Sequence, residues 1–144
     1  MTSKGACIVT GASQGIGRAT AIALAAKREY SSIVLVSRNL EKLEETKALA
    51  GNPDNMFALP FDLEELEGIP AMVSSVVRDH GDIDLLVNVS GYADPKPLFE
   101  TDAHSLEKTF RVNVFALTLM CREVAKNMRG HRCGKIINIA STAG

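Results

Sequence analysis

The sequence predicts an α/β fold: a Rossmann-type doubly wound parallel sheet with helices on both faces. Short apolar runs alternate with longer amphipathic stretches along all 144 residues, which indicates strand and helix in turn. The short runs are continuously apolar, and this is typical of parallel strands that are buried on both faces. Right-handed crossovers then favour the strand order 3-2-1-4-5, with ligands expected at the carboxyl ends of the strands.

The apolar runs and the helical periodicity place five strands and four helices. Strands are predicted over residues 6–10, 32–37, 56–61, 83–90 and 135–141, and helices over 15–30, 39–51, 64–81 and 101–130. Asn39 is placed to cap the second helix, and Gly51, Gly81 and Gly130 are predicted to end helices in a left-handed conformation. No repeat or linker divides residues 1–144, so we expect one domain.

Composition excludes several classes of function. With 16 basic and 17 acidic residues the net charge is -1, which argues against an electrostatic grip on nucleic acid. No apolar stretch approaches the ~18 residues that a membrane helix needs. We therefore expect a cytoplasmic protein that binds neither nucleic acid nor membrane. The three cysteines lack the spacing of a metal site, so no metal is expected.

A glycine-rich loop joins the first predicted strand to the first helix and reads TGASQGIG. Glycines at such a junction let the backbone turn tightly and approach a pyrophosphate, whose charge the helix N-terminus meets. No Lys-Ser or Lys-Thr follows, which excludes a nucleoside triphosphatase loop. Residues 1–144 are therefore predicted to form a dinucleotide-binding domain. The contacts expected from this loop come from Gly11, Ser13, Gln14, Gly15, Ile16 and Gly17.

The end of the second strand indicates which dinucleotide is bound. An acidic residue there normally holds the ribose 2′-hydroxyl of NAD, but this chain has Ser37, Arg38 and Asn39. A guanidinium can grip a 2′-phosphate through two hydrogen bonds, so NADP(H) is favoured over NAD(H). The alternative is that Arg38 lies in solvent or pairs with a nearby acid such as Glu41.

Further motifs follow at the ends of the later strands, and together with the glycine loop they resemble the short-chain dehydrogenase/reductase family. The resemblance covers all 144 residues and rests on the loop, on Asp62-Leu63, on Asn88-Val89-Ser90-Gly91, on Asn113 and on Ser141. It implies that Asp62 and Leu63 contact the adenine and that residues 88–91 lie beside the cofactor. Val89 and Ser90 depart from the family's Asn-Asn-Ala-Gly. We expect this departure to change individual contacts to the cofactor more than cofactor binding itself.

The resemblance also assigns two catalytic roles. Ser141 matches the family's serine, which orients the substrate carbonyl, and Asn113 matches the asparagine that supports a proton-relaying water. A serine at a strand end is otherwise a turn former, and an asparagine in an apolar helix is otherwise a satisfied core group.

The family's proton donor is a Tyr-x-x-x-Lys on a helix after the serine, and this sequence contains no such helix. The resemblance therefore implies a domain that is truncated after its fifth strand. Tyr92 and Lys96 have the spacing, but Pro95 and Pro97 push the segment toward extended or turn geometry.

The function implied is an NADP(H)-dependent oxidoreductase that transfers a hydride between the nicotinamide and a small carbonyl or alcohol substrate. A complete chain is expected to form a homodimer or homotetramer, and the long helix is expected to expose apolar residues, with Phe110, Val114, Leu117 and Cys121 as candidates. Two alternatives are a non-catalytic NADP(H)-binding form or regulatory module and, less favoured, a methyltransferase on a related sheet.

Overall fold

The computed structural model describes residues 4–141, which form five parallel strands alternating with helices. The strands are β1 (Lys4–Thr10), β2 (Tyr30–Ser37), β3 (Met56–Pro60), β4 (Ile83–Asn88) and β5 (Lys135–Asn138). The helices are α1 (Gly15–Lys27), α2 (Leu40–Leu49), α3 (Ile69–His80), α4 (Ala103–Phe110) and α5 (Leu117–His131), with short 3-10 turns at Leu66–Gly68 and Leu98–Glu100.

The sheet has the order β3-β2-β1-β4-β5, and this confirms the predicted doubly wound topology. The central strand β1 pairs with β2 on one side and with β4 on the other, so that Ile8 stands opposite both Val34 and Leu86. Five consecutive residues of β1, from position 6 to position 10, are buried. Burial on both faces explains why the strand is continuously apolar.

Two hydrophobic layers cover the two faces of the sheet. Ala6 and Ile8 of β1 pack toward α3 and α5, whereas Cys7 and Val9 pack toward α1 and α2, because successive strand residues point to opposite faces. On the second face Ala21 and Ala25 are buried and belong to the layer. These small side chains let α1 lie close to the sheet, and the glycine loop that precedes it is thereby held over the carboxyl edge.

The long helix predicted over residues 101–130 is continuous but not uniform. A π-helical segment, Arg111–Ala116, separates α4 from α5. Asp102 caps α4 by accepting a hydrogen bond from the backbone N–H of Ser105 at 2.7 Å. The segment widens the helix at the position of Asn113.

Several predicted boundaries differ from the structure. Gly51 and Gly81 have the expected positive φ, but the prediction for Gly130 was wrong: it lies inside α5, which ends at the left-handed Arg132. The last strand, predicted over 135–141, pairs with β4 only over Lys135–Asn138. The chain beyond Asn138 is exposed up to the end of the described residues.

The exposed face of the long helix agrees in part with expectation. Phe110 and Val114 are 51% and 43% exposed. Leu117 and Cys121 are half-buried instead, and Cys121 packs against the core. Across residues 4–141 no helix combines the length and the apolar character needed to cross a membrane.

The buried Cys7 thiol provides a test of the packing. Burial raises its pKa to about 12, so almost no thiolate forms at pH 8, and the thiolate is the species that alkylates. Cys133 is exposed. We expect iodoacetamide to modify Cys133 in the native protein and Cys7 only after denaturation, as measured by peptide mass spectrometry. Labelling of both at equal rates would contradict the described core.

Candidate dinucleotide-binding site

A cleft of about 370 Å³ opens at the carboxyl edge of the sheet, where sequence reasoning placed the ligand. Its walls come from the glycine loop, the ends of β2, β3 and β4, and α4. Among the predicted residues, it brings together Gly11, Ser13, Gln14, Gly15, Ile16, Ser37, Arg38, Asp62, Leu63, Val89, Ser90 and Gly91. It is also lined by residues that were not predicted: Phe61, Glu64, Tyr92, Lys108 and Val112.

Each of the three glycines of the loop has a different structural role. Gly11 has a φ of +65°, and a Cβ there would lie 2.9 Å from the backbone nitrogen of Ser90. Gly15 has a φ of +54° and faces open space. A Cβ on Gly17 would collide with the carbonyl of Gly11, so α1 can pack this closely against the loop only with glycine at position 17. Gly17 does not line the cleft.

The N-terminus of α1 is directed to the cleft through Gln14, Gly15 and Ile16. Gln14 has extended backbone geometry, and its side chain makes no capping hydrogen bond to the helix. The first-turn N–H groups and the positive end of the helix dipole favour an anion at this place.

Side chains outside the motif hold the loop from behind. The Thr46 hydroxyl donates to the carbonyl of Ala12 at 2.9 Å, and Arg18 donates to the carbonyl of Ser13 at 2.6 Å. Arg18 also pairs with Glu45 at 3.0 Å. Sequence reasoning missed these residues, because nothing in the spacing indicates that α2 reaches the loop.

Thr10 is the first residue of the glycine-rich motif, but it was not predicted to be a site residue. Its buried hydroxyl accepts hydrogen bonds from the backbone N–H groups of Val89 at 3.0 Å and Ser90 at 3.1 Å. The sequence feature that could have identified Thr10 is a hydroxyl at the end of an otherwise apolar, buried strand. Thr10 thus joins the end of β1 to the segment after β4.

At the end of β2, Ser37 donates a hydrogen bond to the hydroxyl of Ser13 at 3.0 Å. The side chain of Arg38 is 65% exposed, and its guanidinium lies 3.7 Å from a carboxylate oxygen of Glu64. The acid beside Arg38 is therefore Glu64 and not Glu41, which the alternative interpretation of Arg38 gave as an example. Asn39 caps α2 by accepting from Lys42 N–H at 2.9 Å, and it does not line the cleft.

At the end of β3, Asp62 accepts a hydrogen bond from the backbone N–H of Glu64 at 2.9 Å, and Leu63 is buried. The carbonyl of Glu64 in turn accepts from Arg111 at 2.6 Å. These contacts tie the loop after β3 to the π-helical segment.

The two asparagines occupy different places. Buried Asn88 donates to the side chain of Asn138 at 2.9 Å and so joins β4 to β5, outside the cleft. Asn113 uses both amide atoms on the backbone of Tyr92, accepting from its N–H and donating to its carbonyl, each at 2.8 Å. Asn113 therefore holds the loop that lines the cleft. Ser141 is exposed, three residues beyond β5, and the Thr142-Ala143-Gly144 that follows it lies outside the described residues.

The loop with tyrosine-lysine spacing has no regular secondary structure over residues 91–97, as predicted from its prolines. Lys96 pairs with Asp94 at 2.7 Å, and its hydrogen bond, with that of Ser105, lowers the pKa of the Asp94 carboxyl. Tyr92 instead lies under Lys108, whose ammonium is 4.9 Å from the ring centroid. Within residues 4–141 no cluster of His, Cys, Asp and Glu is arranged to hold a metal ion.

The family model described as "short chain dehydrogenase" matches residues 5–144. The chain belongs to the short-chain dehydrogenase family. Dehydrogenase/reductase SDR family member 11 of Bos taurus is 36% identical over 142 residues, which are 95% of this chain and 55% of that protein. The 2,3-dihydro-2,3-dihydroxybenzoate dehydrogenase of Bacillus subtilis is 35% identical over 136 residues, 94% of this chain and 51% of that protein.

Solved structures of short-chain dehydrogenases have the same architecture. A metagenomic short-chain oxidoreductase in complex with NADP superposes with a TM-score of 0.89 at 32% identity, covering 98% of this chain and 64% of that one. The chain spans about half the length of the curated short-chain dehydrogenases that it matches.

Gly17→Ala tests the packing of the family's glycine loop. The new Cβ would meet the Gly11 carbonyl, and overpacking of this kind costs about 1–3 kcal/mol, so we expect a lower free energy of unfolding in urea titrations. Gly130→Ala is the matched control, since a Cβ there meets no atom within 4 Å and alanine favours a helix by up to about 1 kcal/mol. Equal stability of the two variants would contradict the described loop.

Proposed function

We propose that the chain binds NADP(H) in this cleft and forms part of an oxidoreductase. This enzyme would transfer a hydride between the nicotinamide and a small carbonyl or alcohol substrate. The observation that carries the proposal is the end of β2, where Ser37 stands in place of the usual acidic residue and lines the cleft together with the exposed Arg38. Family membership supports a nicotinamide cofactor, and one homologous structure contains NADP.

The cleft residues fit such a cofactor. The positive φ of Gly11 and Gly15 and the N-terminus of α1 suit a pyrophosphate. Arg38 would pair with the 2′-phosphate, and Asp62 with Leu63 would bound the adenine. The segment from Val89 to Gly91 would lie along the nicotinamide half.

Bound NADPH supplies the hydride to the carbonyl carbon. The contribution we propose for Ser141 is a hydrogen bond that orients the carbonyl oxygen, where negative charge develops. For Asn113 we propose support of the proton relay, together with its hold on Tyr92. Of the two tyrosines in the sequence neither has a lysine one turn along a helix, so we propose that the proton-donating Tyr and Lys belong to a segment outside these 144 residues.

A second candidate is a form that binds NADP(H) without turnover. Its support is that the described residues form the cleft proposed for the cofactor, whereas a helical Tyr-Lys pair is not among them. Incubating the native protein, isolated from its source, with NADPH and a panel of aldehydes and ketones separates the two, because a chain without the Tyr-Lys pair is not expected to turn over. Oxidation of NADPH followed at 340 nm favours the enzyme, and binding without oxidation favours the second candidate.

Cofactor preference is tested by Ser37→Asp with Arg38→Leu. We expect the parent chain to bind NADPH roughly tenfold to a hundredfold more tightly than NADH, because charge-assisted hydrogen bonds to the 2′-phosphate are strong. The double variant should reverse this order, since its carboxylate repels the phosphate and accepts from a ribose hydroxyl. Calorimetric titration measures both constants.

Arg129→Leu serves as the control for this experiment, because it removes an exposed arginine of α5 that does not line the cleft. This variant should leave the ratio of the dissociation constants for NADPH and NADH unchanged. Equal affinity of the parent chain for both cofactors would remove the case for NADP(H).

A further inference from the structure

Glu64 lies between two cations on the wall of the cleft. One of its carboxylate oxygens is 3.0 Å from the Lys108 ammonium and 3.7 Å from the Arg38 guanidinium. All three side chains line the cleft. The arginine that would meet a 2′-phosphate therefore already has an anion beside it.

The backbone of Glu64 is held at the rim of the cleft by two hydrogen bonds. Its N–H donates to Asp62, and its carbonyl accepts from Arg111. The side chain is 29% exposed, so most of it lies in the cleft wall. The carboxylate therefore stands on a fixed backbone beside both cations.

The two ion pairs of Glu64 differ in strength. Lys108 is 24% exposed, closer to the carboxylate, and held over the ring of Tyr92, whereas Arg38 is 65% exposed and farther away. Exposed pairs of this kind contribute little and are easily replaced. An incoming dianion can therefore take Arg38 from Glu64 without breaking the pair between Glu64 and Lys108.

We propose that Glu64 and Lys108 set the degree of discrimination between a 2′-phosphorylated and an unphosphorylated ribose. The inference rests on the proposed NADP(H) binding and adds two specificity-determining residues to it. Glu64 weakens phosphate binding, because its charge both repels the dianion and partly neutralises Arg38. Lys108 counters this effect by holding the carboxylate. Discrimination is therefore a balance of three charges and not a property of Arg38 alone.

The test uses two ligands that differ only in the 2′-phosphate: adenosine 2′,5′-bisphosphate and adenosine 5′-monophosphate. Glu64→Gln should tighten binding of the bisphosphate roughly threefold to tenfold, with less gain at high salt, and leave the monophosphate unchanged. Lys108→Met should weaken binding of the bisphosphate by a similar factor, because Glu64 then pairs with Arg38. Both constants come from calorimetric titration of the full chain.

Glu65→Gln is the matched control, an exposed acid one residue along that does not line the cleft, and it should change neither constant. If the parent chain binds the bisphosphate but Glu64→Gln and Lys108→Met behave like Glu65→Gln, the inference is overturned and NADP(H) binding stands. If the parent chain binds neither ligand, the proposed function fails, and the inference fails with it.

Discussion

The close crossing of the glycine loop and the segment after β4 is the constraint on which the cleft depends. Gly11 passes the backbone of Ser90 at a distance that leaves no room for a side chain, and Thr10 joins the same two segments by hydrogen bonds. Because both segments leave adjacent parallel strands at the same edge, their separation fixes the floor of the cleft. The walls from β2, β3 and α4 are arranged around that floor.

The cleft wall is held in place by groups that do not themselves line it. Thr46 and Arg18 support the loop from α2 and α1, Asn113 holds the backbone of Tyr92, and Arg111 holds that of Glu64. Each of these supports stands on a helix that packs on the sheet or continues into one that does. Side chains on regular elements position a site more accurately than loops alone, so the loops at this edge have little freedom to rearrange.

Sequence reasoning succeeded where one local rule decides the outcome. Burial on both faces identified the strands, crossover handedness ordered them, and the need for a tight turn identified Gly11 and Gly15, which both have a positive φ in the structure. It failed where the decisive contact joins distant segments. The alternative in which Arg38 pairs with an acid named Glu41 as an example, because it is near in sequence, but the fold places Glu64 beside Arg38 and Lys108 beside Glu64. The roles proposed for Ser141 and Asn113 rest on family resemblance, since spacing alone gives them ordinary structural readings.

The π-helical segment lets the long helix hold one more residue while the side chains on either side keep their directions. An extra residue in a regular α-helix would rotate everything beyond it by about 100°, but a π turn holds one residue more than an α turn and absorbs that rotation. Lys108 of α4 therefore stays on the rim of the cleft while α5 keeps its packing on the sheet. The wider turn thus compensates for an insertion and keeps two faces of one helix in phase.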